Sequence, residues 1–243
     1  MTDRCQLLNW DSEFFGCQIA RLSGNQLSAE EIPGIDQWCA AGKVDCLYFL
    51  ADSCSPETIA AAELGGFGFK DLRMTYEWKS SLGSVGLRPQ IAERVNVRPH
   101  HSGDVEALVT IARRAHTDTR FYFDQRFARD KAELLYETWL RKACAGSAQR
   151  VFVGETGGTA AGYLSCHLDG DCAGSIGIVA VDPRFHGQGI GRAMILAALH
   201  WFSDQGVTDI SVITQGRNVL AHRFYQSAGF LTRAIECWYH KWY

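Results

Sequence analysis

Apolar positions along this chain recur with two spacings, and the switches between them mark out its elements. Residues 18–23 and 44–51 read as extended segments. Residues 70–78 alternate strictly: Leu72, Met74, Tyr76 and Trp78 fall on one face of a strand and Asp71, Arg73, Thr75 and Glu77 on the other. Between these stretches Ser28-Ala29-Glu30-Glu31 reads as a capping-box start. Ser55-Pro56 supplies the cap and first turn of a helix that runs to Leu64, where Gly65-Gly66 stops it. Beyond residue 92 the pattern predicts a strand over 94–98, a helix over 103–115 and a loop over 116–124. A helix capped by Asp130-Lys131-Ala132-Glu133 follows, with Leu134, Leu135, Trp139 and Leu140 at core spacing. Three strands come next, over 150–156, 160–168 and 175–181, joined at a Gly157-Gly158 hairpin turn and a Gly170-Asp171 turn. The chain closes with a helix to 205, a strand over 208–214, a helix from Asn218 to Gly229 and a strand over 231–242. Residues 79–91, rich in Ser and Gly and without periodicity, read as a linker between a lobe of residues 1–78 and a lobe of residues 92–243.

The most informative joint follows the strand ending at Val181. Asp182-Pro183 turns the chain out, Gly187, Gly189 and Gly191 occupy alternate positions, and a helix begins. Glycines there let a ligand approach the backbone, and a helix N-terminus offers unpaired N–H groups and a positive dipole end, which suits a phosphate or pyrophosphate. The loop is not a P-loop, because Gly191-Arg192-Ala193 replaces the Gly-Lys-Ser/Thr ending. It is not a dinucleotide fingerprint either, because Arg192 or Met194 stands where the third small residue belongs. A strand–turn–helix joint without a ligand is the bare alternative.

Composition narrows the class. The chain has 243 residues, 47% of them hydrophobic, enough for a core in one or two domains. A net charge of −3 without a Lys/Arg block argues against a nucleic-acid partner. No apolar run approaches the ~18–20 residues of a membrane span. The N-terminus shows no signal-peptide pattern, and the nine cysteines, an odd number, include no Cys-x-x-Cys pair, so neither disulfides nor a metal site is expected. A cytoplasmic location is the simplest expectation.

Arg184-Phe185-His186-Gly187-Gln188-Gly189 after a Val-x-Val-x-Pro strand resembles the pyrophosphate-arm motif of the GNAT acyl-coenzyme A N-acyltransferases. Downstream, Asn218-x-x-Ala221-x-x-Phe224-Tyr225-x-x-x-Gly229-Phe230 is similar to the second cofactor motif of that family. The resemblance covers residues 92–243 and implies an α/β (α+β) GNAT fold: a mixed, mostly antiparallel central sheet flanked by helices. Asn9-Trp10-Asp11-Ser12-Glu13-Phe14-Phe15-Gly16, Gly66-Phe67 and Thr119-Arg120-Phe121-Tyr122 resemble more loosely the nucleotide-sugar N-acyltransferases of the dTDP-fucosamine acetyltransferase type. In those, the smaller N-terminal α/β lobe is a partial GNAT-like unit.

The resemblance implies acetyl-CoA or another short acyl-CoA as co-substrate and no metal. Backbone groups of Val179, Ala180 and Val181 would meet the pantetheine and thioester, and Gly187, Gln188, Gly189, Ile190, Gly191 and Arg192 the pyrophosphate, while Asn218 caps the second motif's helix. Tyr225 is the candidate general acid, a phenol protonated at neutral pH, or else a packing tyrosine against Phe224 and Phe230. Asp71 is the candidate base, or a surface partner of Arg73. His116 and Asp118 sit at the mouth of the aromatic loop, as further base candidates or simply solvated, and His186 reads as structural. Arg120, Phe121 and Tyr122 suit a nucleotide by charge pairing and stacking, or form an aromatic packing cluster. The expected acceptor is a nucleotide-linked amino-dideoxy sugar used in polysaccharide or O-antigen synthesis. A protein N-terminus, a polyamine, an aminoglycoside, or a non-catalytic CoA sensor are the alternatives. The aromatic last strand, with Trp238, Tyr239, Trp242 and Tyr243, pairs across a homodimer edge or enters the core.

Overall fold

A computed structural model describes residues 4–82, 95–117 and 119–243. Most of the expected linker, along with Arg94 and Asp118, lies outside the described residues. The elements in chain order are β1 (Cys5–Leu7), α1 (Asn9–Phe15), β2 (Ile19–Leu22), α2 (Ile32–Ala41), β3 (Cys46–Asp52), α3 (Pro56–Leu64) and β4 (Gly68–Lys79). After the undescribed stretch come β5 (Val95–Pro99), α4 (Val105–Ala115), α5 (Arg120–Phe123), α6 (Arg129–Lys142), β6 (Arg150–Thr156), β7 (Thr159–Leu168) and β8 (Ala173–Val181). The chain then forms α7 (Ile190–Asp204), β9 (Asp209–Gln215), α8 (Val219–Ser227) and β10 (Leu231–Trp242).

Among the described residues the strands form one sheet in the order β1-β2-β3-β10-β4-β9-β8-β7-β6-β5. Every neighbouring pair is antiparallel except β2–β3 and β8–β9. The lobes are interlocked through its centre. β10 lies between β3 and β4, the strands flanking α3, and β4 lies between β9 and β10, the strands flanking α8. The two β-α-β units echo each other locally: α3 gives way to Gly66 (φ 81°) and buried Phe67, α8 to Gly229 (φ 82°) and buried Phe230.

Both faces of the sheet are covered. On one, α7 buries Ile190, Met194, Ile195, Ala198, Leu199 and Phe202 at helical spacing against Leu164, Ile176 and Val212. Glycine lets it approach, since a Cβ at Gly154 would stand 2.7 Å from Ile190. The same face of the N-terminal lobe packs Ile35 and Cys39 of α2 and Ala61 and Ala62 of α3 against Phe49, Cys237 and Tyr239. On the opposite face α4 covers Val153 and Tyr163, and a cluster of Tyr48, Phe121, Phe127 and Leu135 carries Trp238 and Trp242 at its margin.

Several expectations need correction. The aromatic last strand cannot pair across a dimer edge, because β10 is hydrogen-bonded on both sides, to β3 and β4; the sheet's edges are β1 and β5. The segment 116–124 is not all loop, since α5 occupies its second half. Asp130 lies in the first turn of α6 rather than at its cap, which is Ala128. The capping box forms, with the Glu31 carboxylate accepting the Ser28 N–H at 2.9 Å, but it opens a 3-10 turn ahead of α2. The alternating face of β4 that holds Asp71 and Thr75 is buried at those positions, not solvated, because α5 lies against the strand.

Candidate functional site

The glycine loop is set by the exit from β8. Asp182, fully buried, accepts the Arg184 N–H at 3.0 Å and its guanidinium at 2.6 Å, with Arg114 at 3.6 Å behind. These donors hold the Asp182 carboxyl down at about 2. His186 Nε2 hydrogen-bonds the Val181 carbonyl at 3.0 Å, which matches its expected structural role. Gly187 (φ 76°) and Gly189 (φ 80°) follow in the left-handed region, and a Cβ at either would meet nothing within 4 Å. Backbone conformation, not crowding, therefore demands glycine, and the space above is left to a ligand. Gly189 caps α7, whose first turn carries no acidic side chain to neutralise its N–H groups. Gly191 serves packing instead, since a Cβ there would be 3.1 Å from Phe224 of α8. Gly189→Val puts a β-branched residue at positive φ and fills the ligand space; calorimetry is expected to show CoA affinity reduced by about a hundredfold.

Beside the loop the sheet opens. β8 and β9 pair in parallel only from Ala173↔Asp209 to Ile176↔Val212, and their C-terminal ends diverge. Opposite the divergence β8 bulges against β7 between Ile176 and Val179, and Ser165 Oγ accepts the Ile178 N–H there at 3.0 Å. Asp182 N–H donates to Ala161 on the β7 side, so the alternation of strand geometry turns the main-chain groups of Val181 and Val179 into the gap. An acyl-CoA thus fits the residues present: phosphates on the α7 terminus and the acyl arm along unpaired β8 amides.

A cavity of about 800 Å³ runs through the gap. Its walls include Gly187, Gly189, Gly191 and Arg192 at one end and Arg120, Tyr136, Trp139 and Trp238 at the other. The first group flanks the face of α7 and α8 and the second the face of α5 and α6, so the cavity is bordered by both sides of the sheet.

Of the residues singled out in sequence, Val179, Ala180, Val181, Ile190, Asn218, Tyr225, Arg120 and Phe121 also line the cavity; Gln188, Asp71 and Tyr122 do not. Asn218 Oδ1 accepts the Ala221 N–H at 3.0 Å, capping α8. Tyr225, 3% exposed, packs among Tyr76, Phe224 and Phe230, and burial pushes its phenol well above its ordinary value. The Arg120 guanidinium lies 4.0 Å from the Trp238 ring centroid and 4.9 Å from that of Tyr48, and among the described residues no carboxylate is within ion-pairing distance. Phe121 is a core aromatic with one edge on the cavity. Tyr122 instead carries the Arg129 guanidinium over its ring, at 4.7 Å.

Asp71 is not the partner of Arg73. Its Oδ1 faces Arg217 Nε at 3.4 Å and accepts the Leu72 N–H at 2.8 Å, while Arg73 pairs with Glu236 at 2.9 Å. Burial raises the Asp71 carboxyl despite Arg217. Sequence reading missed Tyr136, Trp139 and Trp238 as cavity residues, because each occupied a position that also suits a core aromatic. It placed His116 in solvent, whereas His116 stacks on Tyr136 at 4.1 Å and bonds the Tyr163 hydroxyl through Nε2 at 2.7 Å. Burial lowers this imidazole from 6.5 to about 4. The unfolded chain therefore takes up a proton first as pH falls, so His116 contributes stability above pH 6.5 that is lost on the way to pH 4. His116→Gln should flatten the decline of Tm across that window.

Among the described residues no group of three metal-ligating side chains is found, and no helix is long and apolar enough to cross a membrane.

A splayed parallel strand pair, a glycine-capped helix and a capped helix carrying a buried tyrosine meet at this cavity. Residues 107–230 match the Acetyltransferase (GNAT) family, and the chain belongs to that family. It is 30% identical over 145 residues to the spore coat polysaccharide biosynthesis protein SpsD of Bacillus subtilis, covering 59% of this chain and 50% of that protein. It is 33% identical over 152 residues to the mycothiol acetyltransferase of Nocardiopsis dassonvillei, covering 59% and 44%. The chain thus spans about half the length of these curated relatives. Among solved structures, a GCN5-related N-acetyltransferase from Sphaerobacter thermophilus superposes with a TM-score of 0.67 at 14% identity, over 98% of this chain and 76% of that one. A tandem GNAT protein from the clavulanic acid biosynthesis pathway gives 0.64 at 13% identity, over 93% and 76%. At such identities they share the fold.

Proposed function

We propose that this chain transfers an acetyl or short hydroxyacyl group from coenzyme A to the amine of a nucleotide-linked amino-dideoxy sugar. The observation that carries the acceptor class is the charge of the cavity wall. Arg73, Arg114, Arg120 and Arg192 line it, and among the described residues no Asp or Glu does. Arg73 is paired with Glu236, Arg114 with Asp182, and Arg192 stands at the glycine loop, which leaves Arg120 as the charge facing the acceptor end. That lining suits an anionic acceptor and disfavours polyamines, aminoglycosides and peptide N-termini, which bring positive charge. The naming of SpsD for polysaccharide biosynthesis supports the same reading.

In this reading the neutral amine attacks the thioester carbonyl directly. The C–N bond forms, and the β8 main-chain N–H groups stabilise the oxyanion. As the C–S bond breaks, Tyr225 gives its proton to the thiolate and is reprotonated from solvent. Asp71, one of whose carboxylate oxygens has no partner, is the base in this reading, and its raised affinity for protons suits the proton the amine loses.

The test is release of free thiol from acetyl-CoA across a panel of acceptors. Turnover with dTDP- or UDP-amino sugars is expected; turnover only with cationic amines would overturn the acceptor class, and none with any amine would favour a CoA-binding sensor. The relatives named mycothiol acetyltransferase favour a second reading, a mycothiol-pathway acceptor, so that substrate belongs in the panel. Arg120→Ala should raise KM for an anionic acceptor by about 10- to 100-fold, the loss of a charge-assisted contact, with KM for acetyl-CoA unchanged.

A further inference from the structure

Around Arg120 five buried polar atoms have no hydrogen-bond partner: Tyr48 Oη, Asp71 Oδ2, Thr119 Oγ1, Arg120 Nε and His240 Nε2. Tyr48, Asp71, Thr119 and His240 are between 1% and 3% exposed. They come from β3, β4, the residue preceding α5, and β10, so no single local motif explains them. His240 stands directly across from Tyr48 in the sheet, with the rings 4.6 Å apart, and Trp238 stands directly across from Asp71. Arg120 lies on both Tyr48 and Trp238, and Thr119 lines the cavity beside it.

Buried polar groups in folded proteins are almost always paired, and each one left unpaired costs stability. Thr119 and Arg120 line the substrate cavity and Tyr48, Asp71 and His240 do not, so a partner from outside the chain meets the last three only when the Arg120 guanidinium moves. The chemistry of such a partner can be read from the atoms. The Tyr48 and Thr119 hydroxyls and the Arg120 N–H donate. Asp71 Oδ2 is kept for the amine's proton, as proposed above. His240 Nδ1 is joined to Asp124 Oδ2 at 2.5 Å, which also receives the Trp242 indole N–H at 2.9 Å; with the Nδ1 proton so held, Nε2 is left as an acceptor. Donors and an acceptor mixed in one small volume match hydroxyl groups, which do both, rather than a bare anion or an apolar group.

We propose that the atoms other than Asp71 Oδ2 form a subsite for the hydroxyl-bearing ring of the acceptor, covered by Arg120 until its guanidinium turns toward the acceptor's anionic group. The inference rests on the sugar-acceptor reading above and names the residues that would read the sugar.

Tyr48→Phe and Thr119→Val test it, because each removes a hydroxyl that the acceptor-free chain does not hold and keeps the shape. Both variants are expected to melt at or above the wild-type Tm and to keep kcat and the KM for acetyl-CoA within about twofold. Their KM for the acceptor should rise about tenfold. An acceptor lacking one ring hydroxyl should then lose affinity for wild type but not for the variant missing its partner. Unchanged acceptor KM in both variants overturns the subsite, and a lowered Tm with unchanged KM overturns it in favour of buried water. A wild type that acetylates only amines without hydroxyls overturns the acceptor reading itself, whereas sugar turnover indifferent to both variants overturns the subsite alone.

Discussion

Tyr225→Phe is expected to lower kcat by about 10²- to 10³-fold, within the range of a lost general acid, while the affinity for acetyl-CoA stays within about twofold. The side chain is buried among Tyr76, Phe224 and Phe230, so the ring that packs is kept and only the hydroxyl is lost. Because burial raises its proton affinity further, the phenol remains a donor throughout the range in which the protein works, and the pH–rate profile should show no basic limb from it. Steady-state kinetics with titration calorimetry on the same preparations separate the two parameters. A fall in kcat below threefold would leave Tyr225 as a packing residue, and a parallel loss of affinity would make it a cofactor contact.

The second large effect concerns the chain's division. A fragment of residues 92–243 is expected to be insoluble or unfolded. It lacks β4, which lies hydrogen-bonded between β9 and β10, so those strands cannot reach each other and the core loses Met74, Tyr76 and Trp78. The reciprocal fragment loses β10 from between β3 and β4 and exposes Phe49 and Tyr48. Co-expression of residues 1–82 with residues 92–243 should restore a soluble complex that binds acetyl-CoA. A folded, CoA-binding 92–243 fragment, seen by circular dichroism and thermal shift, would refute the interdependence. The lobe boundaries drawn in sequence thus describe two units that we propose do not fold alone.

Legibility followed the range of the interactions. Strand β6, the Gly157-Gly158 turn and β7 were readable because a hairpin is fixed by neighbours a few residues apart. Helix α7 was readable from the glycine loop that opens it and the Gly206 that follows it. The short α5 escaped because four residues show no period, and its conformation depends on packing of Phe121 against Phe15 and Phe127. The polar face of β4 misled for the same reason: alternation marks which side chains share a face but not what covers it.

The sequence by itself determined the glycine loop and the helix caps that we assign to the cofactor. Left-handed glycines, a helix cap and a strand exit are conditions on consecutive residues, and they stay legible wherever the segment is placed. Tertiary structure alone decided the opposite wall of the cavity, which we assign to the acceptor. Arg120 meets Trp238, Asp71 meets Arg217, and β4 enters between β9 and β10 only because segments more than a hundred residues apart are paired, and that pairing is set by the packing of the whole sheet.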